Sequence, residues 1–150
     1  MKRALTLMLA TVVLTGCVKE EVVGGSRSAS NASNLGPSLV VEQFMRAVNS
    51  EPKDLATMGR LFGTKEGPIG GRDPRAQVEQ RMFAIATILH HDDYEILREQ
   101  LVPGRTAEAT QLLVRVKAGN KNSNVPFTLV RYKEGWLIEQ IGIDVITNER

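Results

Sequence analysis

The fold is decided by a stretch near the carboxyl end, residues 127–141, which read FTLVRYKEGWLIEQI. Two runs rich in β-branched, aliphatic and aromatic residues flank the pair Glu134-Gly135, and each run is long enough to form a strand. Glycine in a short polar break between such runs is typical of a hairpin turn. We therefore expect strands over 125–133 and 136–145, joined as an antiparallel hairpin.

The strand pattern extends upstream of this hairpin. Positions 108–118 alternate between apolar and polar side chains, which predicts a strand with one buried face. A further strand is expected over 94–103, because Pro103-Gly104 then stops it, and the polar segment 119–124 is expected to be a turn. The four strands follow one another in the chain and form a meander.

Before the strands, apolar residues recur every three or four positions, as they do on one face of a helix. The first of three predicted helices has Ser38 as its N-cap after Pro37, and the second ends at Gly63. The third begins with Asp73 as N-cap and Pro74 as its first residue. The expected core faces are Val40, Phe44, Ala47 and Val48; Leu55, Met58, Leu61 and Phe62; and Val78, Met82, Ile85 and Leu89, with Phe83 and Ala86 beside the last.

Helices followed by a strand meander indicate an α+β domain. We expect one domain over 38–150, with three N-terminal helices packed on a curved antiparallel sheet of about four strands. Between the second and third helices lies the glycine-rich segment 63–73, which is predicted to be a loop.

The closing hairpin, an opening helix over 40–48 and a short second helix together resemble the nuclear transport factor 2-like (cystatin-like) superfamily. Its cone-shaped α+β fold is shared with ketosteroid isomerases, and the resemblance covers about 38–145. The order aromatic, basic, Gly, Trp, aliphatic in 132–138 is similar to the closing hairpin of many lipoproteins with this domain. The superfamily often has a strand pair between its second and third helices, which the loop 63–73 predicts to be reduced or absent. A fold alone does not imply a function.

The amino-terminal end resembles a bacterial lipoprotein signal peptide. Lys2 and Arg3 supply positive charge, and the apolar segment 4–14 is too short to cross a hydrocarbon layer of about 30 Å. The sequence Leu14-Thr15-Gly16-Cys17 is similar to a lipobox. This resemblance implies that the chain is cut before the cysteine, whose thiol receives a diacylglycerol and whose amine is usually acylated too.

Residues 1–16 are therefore expected to be removed, and 17–37 to form a lipidated cysteine and a flexible tether. The tether is rich in Gly, Ser, Asn and Ala, which cannot offset their ordering entropy by burial. Two or more acyl chains on Cys17 give stable membrane anchoring. In the proteobacterial family, aspartate after the cysteine commonly marks inner-membrane retention. Val18 stands there instead, which favours the periplasmic face of the outer membrane where the source has one.

Charge and cysteine content exclude several classes of protein. The chain has 19 Lys and Arg and 17 Asp and Glu, so loss of Lys2 and Arg3 leaves 17 of each sign. A formally neutral mature chain lacks the clustered positive charge of a nucleic-acid binder, and no nucleic-acid partner is expected. The single cysteine cannot form an intramolecular disulfide or a Cys-rich metal site. No metal and no cofactor are expected.

The densest group of titratable side chains is His-His-Asp-Asp-Tyr at 90–94. One interpretation is a general acid/base pair, as in dehydratase members of the superfamily, with His91, Asp92 and Tyr94 as candidates. The favoured interpretation is that the histidines interact with the C-terminal end of the third helix and the aspartates stabilise the turn after it. Neighbouring helical positions point about 100° apart, so His90 and His91 are poorly placed to share a metal.

An isomerase of this superfamily needs a carboxylate base and Tyr or Asp donors in an apolar cavity. Tyr94, Tyr132, Glu139 and Asp144 are available, but none matches the catalytic pattern closely, and no catalytic residue is predicted. Aromatic and aliphatic residues of the hairpin could line a ligand cavity, although core packing is the favoured alternative. These ligand-binding candidates are Phe127, Tyr132, Trp136 and Ile138.

The leading hypothesis is a lipid-anchored, non-catalytic cell-envelope protein. Its domain would bind a partner protein or a small apolar ligand, and its membrane contact would be the lipid on Cys17. The alternative is a small-molecule isomerase or dehydratase-like enzyme, or a carrier, that uses the cavity of the cone.

Overall fold

The computed structural model describes residues 36–105 and 108–148. Helices pack on a curved antiparallel sheet of four strands, so the predicted α+β class is confirmed. The expectations for the signal peptide, for Cys17 and for the tether up to position 35 lie outside the described residues. In chain order the elements are α1 (Pro37–Asn49), α2 (Leu55–Leu61), β1 (Gly63–Thr64), β2 (Gly67–Pro68), a 3-10 turn (Ile69–Gly71), α3 (Arg75–Ile88), β3 (Asp93–Leu101), β4 (Ala109–Ala118), β5 (Lys121–Tyr132), β6 (Gly135–Ile141) and α4 (Asp144–Thr147).

Two of the predicted helix starts are wrong by one or two residues. Gly36, and not Ser38, is the N-cap of α1, and Pro37 is its first helical residue. Proline suits that position because its φ is already helical and its missing N–H would have no partner there. The N-cap of α3 is Pro74, whereas Asp73 lies in the preceding turn with its amide hydrogen-bonded back to the 3-10 turn.

The segment 63–73 contains a strand pair where the sequence predicts a loop. β1 and β2 pair antiparallel, with Gly63 opposite Pro68. Gly63 therefore begins β1 and does not end α2, whose C-cap is Phe62. A Cβ atom at Gly63 would collide with the carbonyl oxygen of Gly67, so the close approach of the two backbones requires glycine. The same glycines that suggest a loop thus allow the strands to meet.

The four-stranded sheet has the order β3-β4-β5-β6, and neighbouring strands are antiparallel. The predicted turn over 119–124 is too long, because β5 already begins at Lys121 and only Gly119 and Asn120 form the turn. Gly119 has φ +58°, a conformation that glycine adopts without strain. The polar residues 122–124 pair with β4 and belong to a strand, although their composition is typical of a turn.

The last predicted strand, 136–145, is also too long. β6 ends at Ile141, where the amide of Gly142 donates to the carbonyl oxygen of Pro126 at 2.9 Å. The chain then turns at Ile143 and forms the short helix α4, which packs against β5. Apolar residues in this segment therefore belong to a helix that closes one end of the domain.

The two edges of the sheet are protected in different ways. Phe62 forms a parallel bridge with Ile138, which places β1 beside β6. The other edge strand, β3, has a bulge between Ile96 and Arg98 and carries the charged Glu99 on its helix-facing side. Bulges and charges of this kind oppose pairing with a strand of another chain.

The main core lies between the helices and one face of the sheet. Phe127 at its centre is fully buried and meets the ring of Phe44 edge-on, with 6.4 Å between the ring centroids. Val78, Met82 and Ala86 form the buried stripe of α3, which the C-cap Leu89 continues. Phe83 is 56% exposed and does not lie beside the core as predicted. The reason is geometric, because Phe83 is rotated by about 100° from Met82 around the helix.

The domain contains its own core. The buried and partly buried members of the hydrophobic clusters all lie between Val40 and Ile146. We therefore expect a fragment 36–150 to keep the core contacts of the described residues and to fold on its own. None of the described helices combines the length and the hydropathy that a membrane span requires.

The two phenylalanines test this arrangement as a matched pair. Phe127→Ala is expected to lower the free energy of unfolding by about 3–5 kcal/mol, because it leaves a cavity in the core. Phe83→Ala removes the same atoms from an exposed helix position, and its effect is expected to stay within about 0.5 kcal/mol. Urea unfolding of the fragment 36–150, followed by circular dichroism, measures both. Equal losses for the two variants would contradict the assignment of the core.

Candidate functional site

The cluster at 90–94 connects the end of α3 to the start of β3. The side chain of Asn49, the last residue of α1, makes two hydrogen bonds to the backbone of His91. Its Nδ2 donates to the carbonyl oxygen of His91 at 2.6 Å, and its Oδ1 accepts from the amide of His91 at 3.4 Å. The imidazole of His91 is 5% exposed, and its Nδ1 lies 2.8 Å from the carbonyl oxygen of Leu89. Because a carbonyl only accepts, Nδ1 carries the proton.

The environment of His91 favours its neutral form. Burial lowers the pKa of His91 below its usual 6.5, and the hydrogen bond to Leu89 opposes this effect only in part. The ring meets the phenol of Tyr94 edge-on, with 5.3 Å between centroids. Burial is also the largest effect on Tyr94, whose pKa is raised, with a further contribution from Glu42 of α1.

The two aspartates of the cluster bind backbone amides. Oδ2 of Asp92 accepts from the amide of Gly119 at 2.7 Å, and the amide of Asp92 donates to the carbonyl oxygen of Lys117 at 2.8 Å. Oδ1 of Asp93 accepts from the amide of Tyr94 at 2.9 Å. The hydrogen bonds of the described residues thus attach Asp92 to the β4–β5 turn and do not join it to an imidazole.

The four ligand-binding candidates of the hairpin lie in three different places. Phe127 and Ile138 are fully buried in the main core. Trp136 is half-buried at the end of the same face, where Cζ of Arg131 lies 5.2 Å from its ring centroid. Tyr132 packs on the opposite face, against a second small cluster of apolar residues. These four side chains therefore do not converge on one cavity.

The remaining isomerase candidates are engaged elsewhere. Glu139 accepts two hydrogen bonds from Arg105 of the β3–β4 connection, at 2.6 and 3.3 Å. This contact raises the pKa of Arg105 and ties the connection to β6. Asp144 is exposed at the first turn of α4. Neither carboxylate has a tyrosine among its hydrogen-bond partners in the described part of the chain.

A cavity that the sequence did not reveal opens where α3 ends. Its volume is about 230 Å³, and it lies between the end of α3, the β4–β5 hairpin and α4. Its lining residues come from three separate parts of the chain, which are the end of α3, the β4–β5 hairpin and α4. The prediction of a strand through 145 hides the contribution of α4. The lining consists of Thr87, Ile88, His90, Val116, Ala118, Lys121, Ser123 and Ile146.

A second cavity of about 260 Å³ lies between α2 and the first turns of α3. Two arginines, Arg60 and Arg75, lie at its border. Each is hydrogen-bonded within its own helix, Arg60 to Thr57 at 2.6 Å and Arg75 to Glu79 at 2.6 Å. Among the described residues, no three His, Cys, Asp or Glu side chains converge in a way that could hold a metal ion.

The buried imidazole predicts a dependence of stability on pH. The unfolded chain takes up a proton at His91 near pH 6.5, whereas the folded protein takes it up only at lower pH. The free energy of unfolding should therefore be highest above pH 6.5 and fall as the pH decreases below it. Urea unfolding between about pH 5 and 8, followed by Trp136 fluorescence, measures this slope.

The neighbouring histidine supplies the control for this measurement. His91→Gln removes the buried imidazole and should flatten the slope, even if the variant is less stable at every pH. His90→Gln removes an exposed imidazole and should leave most of the slope in place. An unchanged slope in His91→Gln would show that another group is responsible.

Comparisons with known proteins add no relative to this description. No family model matches the chain, and no curated protein or solved structure matches it either. The resemblance of the hairpin to the nuclear transport factor 2-like superfamily therefore stays a prediction. Inferences about function therefore depend on the α+β architecture and on the positions of the candidate residues.

Proposed function

We propose that this chain is a lipid-anchored, non-catalytic cell-envelope protein whose domain binds a small ligand or a partner protein. The support for anchoring is in the sequence, in the positive residues Lys2 and Arg3, the short apolar segment 4–14 and Cys17 at the end of a lipobox-like tetrapeptide. A tether of about twenty residues follows, with an r.m.s. span of roughly 25 Å. This reach would let the domain work close to a membrane surface, the outer membrane being favoured where the source has one.

The filled interior of the domain carries the non-catalytic part of the proposal. An enzyme of the isomerase type requires an open apolar cavity into which a carboxylate and a hydrogen-bond donor point. Here Phe44, Phe127 and Leu129 occupy the space between α1 and the sheet at zero exposure. Of the two carboxylate candidates, Glu139 is paired with Arg105 and Asp144 is exposed at α4. This distribution favours binding at the periphery of the domain over chemistry in its centre.

The architecture also supports a cone-shaped fold of the nuclear transport factor 2-like type. The strand pair β1–β2 lies between α2 and α3, where that superfamily often has one. The closing hairpin is similar to that of many lipoproteins with this domain. The proposed membership of this superfamily therefore has two supports, the position of the strand pair and the sequence of the hairpin.

Anchoring is tested by substitution of the proposed lipid attachment site. Cys17→Ala is expected to abolish incorporation of radiolabelled palmitate, because no thiol remains in the chain. The variant should also accumulate as an unprocessed precursor or leave the membrane fraction. Labelling in cells, followed by fractionation and immunoblotting, measures both effects.

A second variant separates this effect from a general defect in export. Thr15→Ala keeps a small residue within the lipobox-like tetrapeptide and should be labelled and processed as the wild type is. Absence of palmitate from the wild-type protein would overturn the anchoring proposal.

The alternative enzymatic function is favoured by one observation, the buried His91, whose pKa is lowered by burial, beside Tyr94. We expect the protein to show no turnover of a Δ5-3-ketosteroid, the substrate type of ketosteroid isomerases, in an ultraviolet absorbance assay. Turnover that is lost in Tyr94→Phe and kept in His90→Gln would overturn the non-catalytic proposal. Both variants are conservative and change one polar group each.

A further inference from the structure

One face of α3 is exposed, uncharged and centred on an aromatic ring. Phe83 is 56% exposed, and the exposed residues Ala76, Gln80 and Thr87 share its side of the helix, because the four positions follow the helical repeat. These four residues are called the α3 stripe. Exposed apolar rings on an uncharged surface are typical of sites that contact another molecule.

The charged side chains beside the α3 stripe have partners within the chain. Arg75 is paired with Glu79 of the next turn at 2.6 Å, and Arg81 lies 3.7 Å from Asp73. These three are all the charged residues of α3. A second surface that covers the stripe would therefore face polar and apolar groups, which favours a partner surface that is itself uncharged.

The α3 stripe reaches the opening of the cavity at the end of α3. Thr87 is exposed as the last residue of the stripe and also lines the cavity. The aliphatic walls behind it are Ile88, Val116 and Ile146. The cavity volume is about 230 Å³, whereas about 150 Å³ between aliphatic walls is enough to hold a benzene molecule. A phenyl ring therefore fits into this cavity.

The ring of Phe83 does not enter the cavity of its own chain. Side chains of an α-helix lean toward its N-terminus, so Phe83 leans toward Gln80 and away from Thr87. Phe83 is accordingly not among the described residues that line the cavity. On a second helix that lies antiparallel to α3, the same lean points in the opposite direction and toward the cavity.

A twofold axis level with residue 85 of α3 satisfies the ring and the cavity together. Two copies of α3 that pack antiparallel about this axis place Phe83 of each copy opposite Thr87 of the other. The two positions lie about 6 Å apart along the helix, so one interface contains both contacts. The contacts are identical, as a twofold interface requires, and a closed dimer leaves no ring or cavity for a third molecule.

We propose that the α3 stripe is the interface of a homodimer, in which Phe83 of each copy occupies the cavity at the end of α3 of the other. The inference rests on the proposed binding function and names a second copy of this chain as the partner. It depends on the shape and the aliphatic walls of the cavity and requires no charge at its rim. Burial of the two rings supplies the affinity.

Sedimentation velocity measures the dimer on the chain 17–150 with Cys17→Ala, which removes the single thiol. We expect a monomer–dimer equilibrium with a Kd of about 10 μM, as for a small interface with two aromatic anchors. Phe83→Ala should weaken the dimer about 100-fold, since two rings are lost at about tenfold each. Leu101→Ala is the control, because Leu101 is 66% exposed but lies at the end of β3 that is farther from α3.

A second pair of variants tests the cavity. Ala118→Trp fills the cavity and should weaken the dimer as Phe83→Ala does, whereas Lys117→Trp puts the same side chain on the opposite face of β4 and should not. Thermal unfolding followed by circular dichroism verifies that each variant is folded. If Ala118→Trp does not fold, the comparison of Phe83→Ala with Leu101→Ala still decides the question.

A mixture of variants tests whether ring and cavity meet each other. Phe83→Ala keeps the cavity and Ala118→Trp keeps the ring, so one of the two contacts can form between them. The equimolar mixture should dimerise about tenfold more strongly than Phe83→Ala alone. Variants that only destabilise the fold would show no such recovery.

Photo-cross-linking identifies the partner of the full chain in cells. Gln80→p-benzoylphenylalanine places a photoreactive group on the α3 stripe and keeps Phe83. We expect a product of twice the mass of the chain, in which the group is attached to the tryptic peptide 82–98 of a second copy. Leu101→p-benzoylphenylalanine should give no such product.

Four results would exclude this homodimer. These are a monomer at all concentrations up to about 1 mM, a dimer that Phe83→Ala leaves unchanged, growth beyond the dimer with concentration, or cross-links to another protein only. Each would leave palmitate labelling and membrane fractionation unchanged, so the anchoring proposal would stand. Loss of labelling with an intact dimer would have the opposite meaning.

Discussion

The contact between α1 and the sheet is the interaction on which the rest of this structure depends. Phe44 and Phe127 meet edge-on at the centre of the core, and each is fully buried. Aromatic side chains bury a large apolar area in a core, and the edge-to-face arrangement of two rings adds to the stabilisation. These rings occupy the space between α1 and the sheet. The cavities described above lie outside this contact, at the end of α3 and between α2 and α3.

A small set of polar contacts then positions that periphery. Asn49 ties the end of α1 to the backbone of His91, and Asp92 ties the next residue to the amide of Gly119 at the hairpin turn. These contacts bring the ends of α1 and α3 and the tip of the β4–β5 hairpin together. The cavity at the end of α3 lies beside this junction, and Ile146 of α4 completes its walls. The hydrogen bonds of the titratable cluster at 90–94 thus connect α1 and the β4–β5 turn to the segment after α3.

Much of the fold could be predicted because the core pattern is strong. The helix periods that contain Val40, Phe44 and Met82 and the alternation through Leu112 identified α1, α2, α3 and the four strands of the main sheet, whereas β1, β2 and α4 were not predicted. The errors lie where composition and structure disagree. Polar residues 122–124 extend β5 because they pair with β4, and the glycines of 63–73 permit a close strand pair where their composition indicates a loop.

The sequence by itself determined the lipobox-like segment, the order of helices before strands, and the hairpin with its core Phe127, because local pattern and periodicity encode these features. Only the tertiary structure decided where the chemistry-bearing side chains lie. Tyr132 and Trp136 are four residues apart in the chain and yet face opposite sides of the sheet. The cavity lined by Ile88, Lys121 and Ile146 exists because α3 ends beside a hairpin that lies far from it in the chain. The relative positions of such elements are set by packing between residues that no local sequence pattern connects.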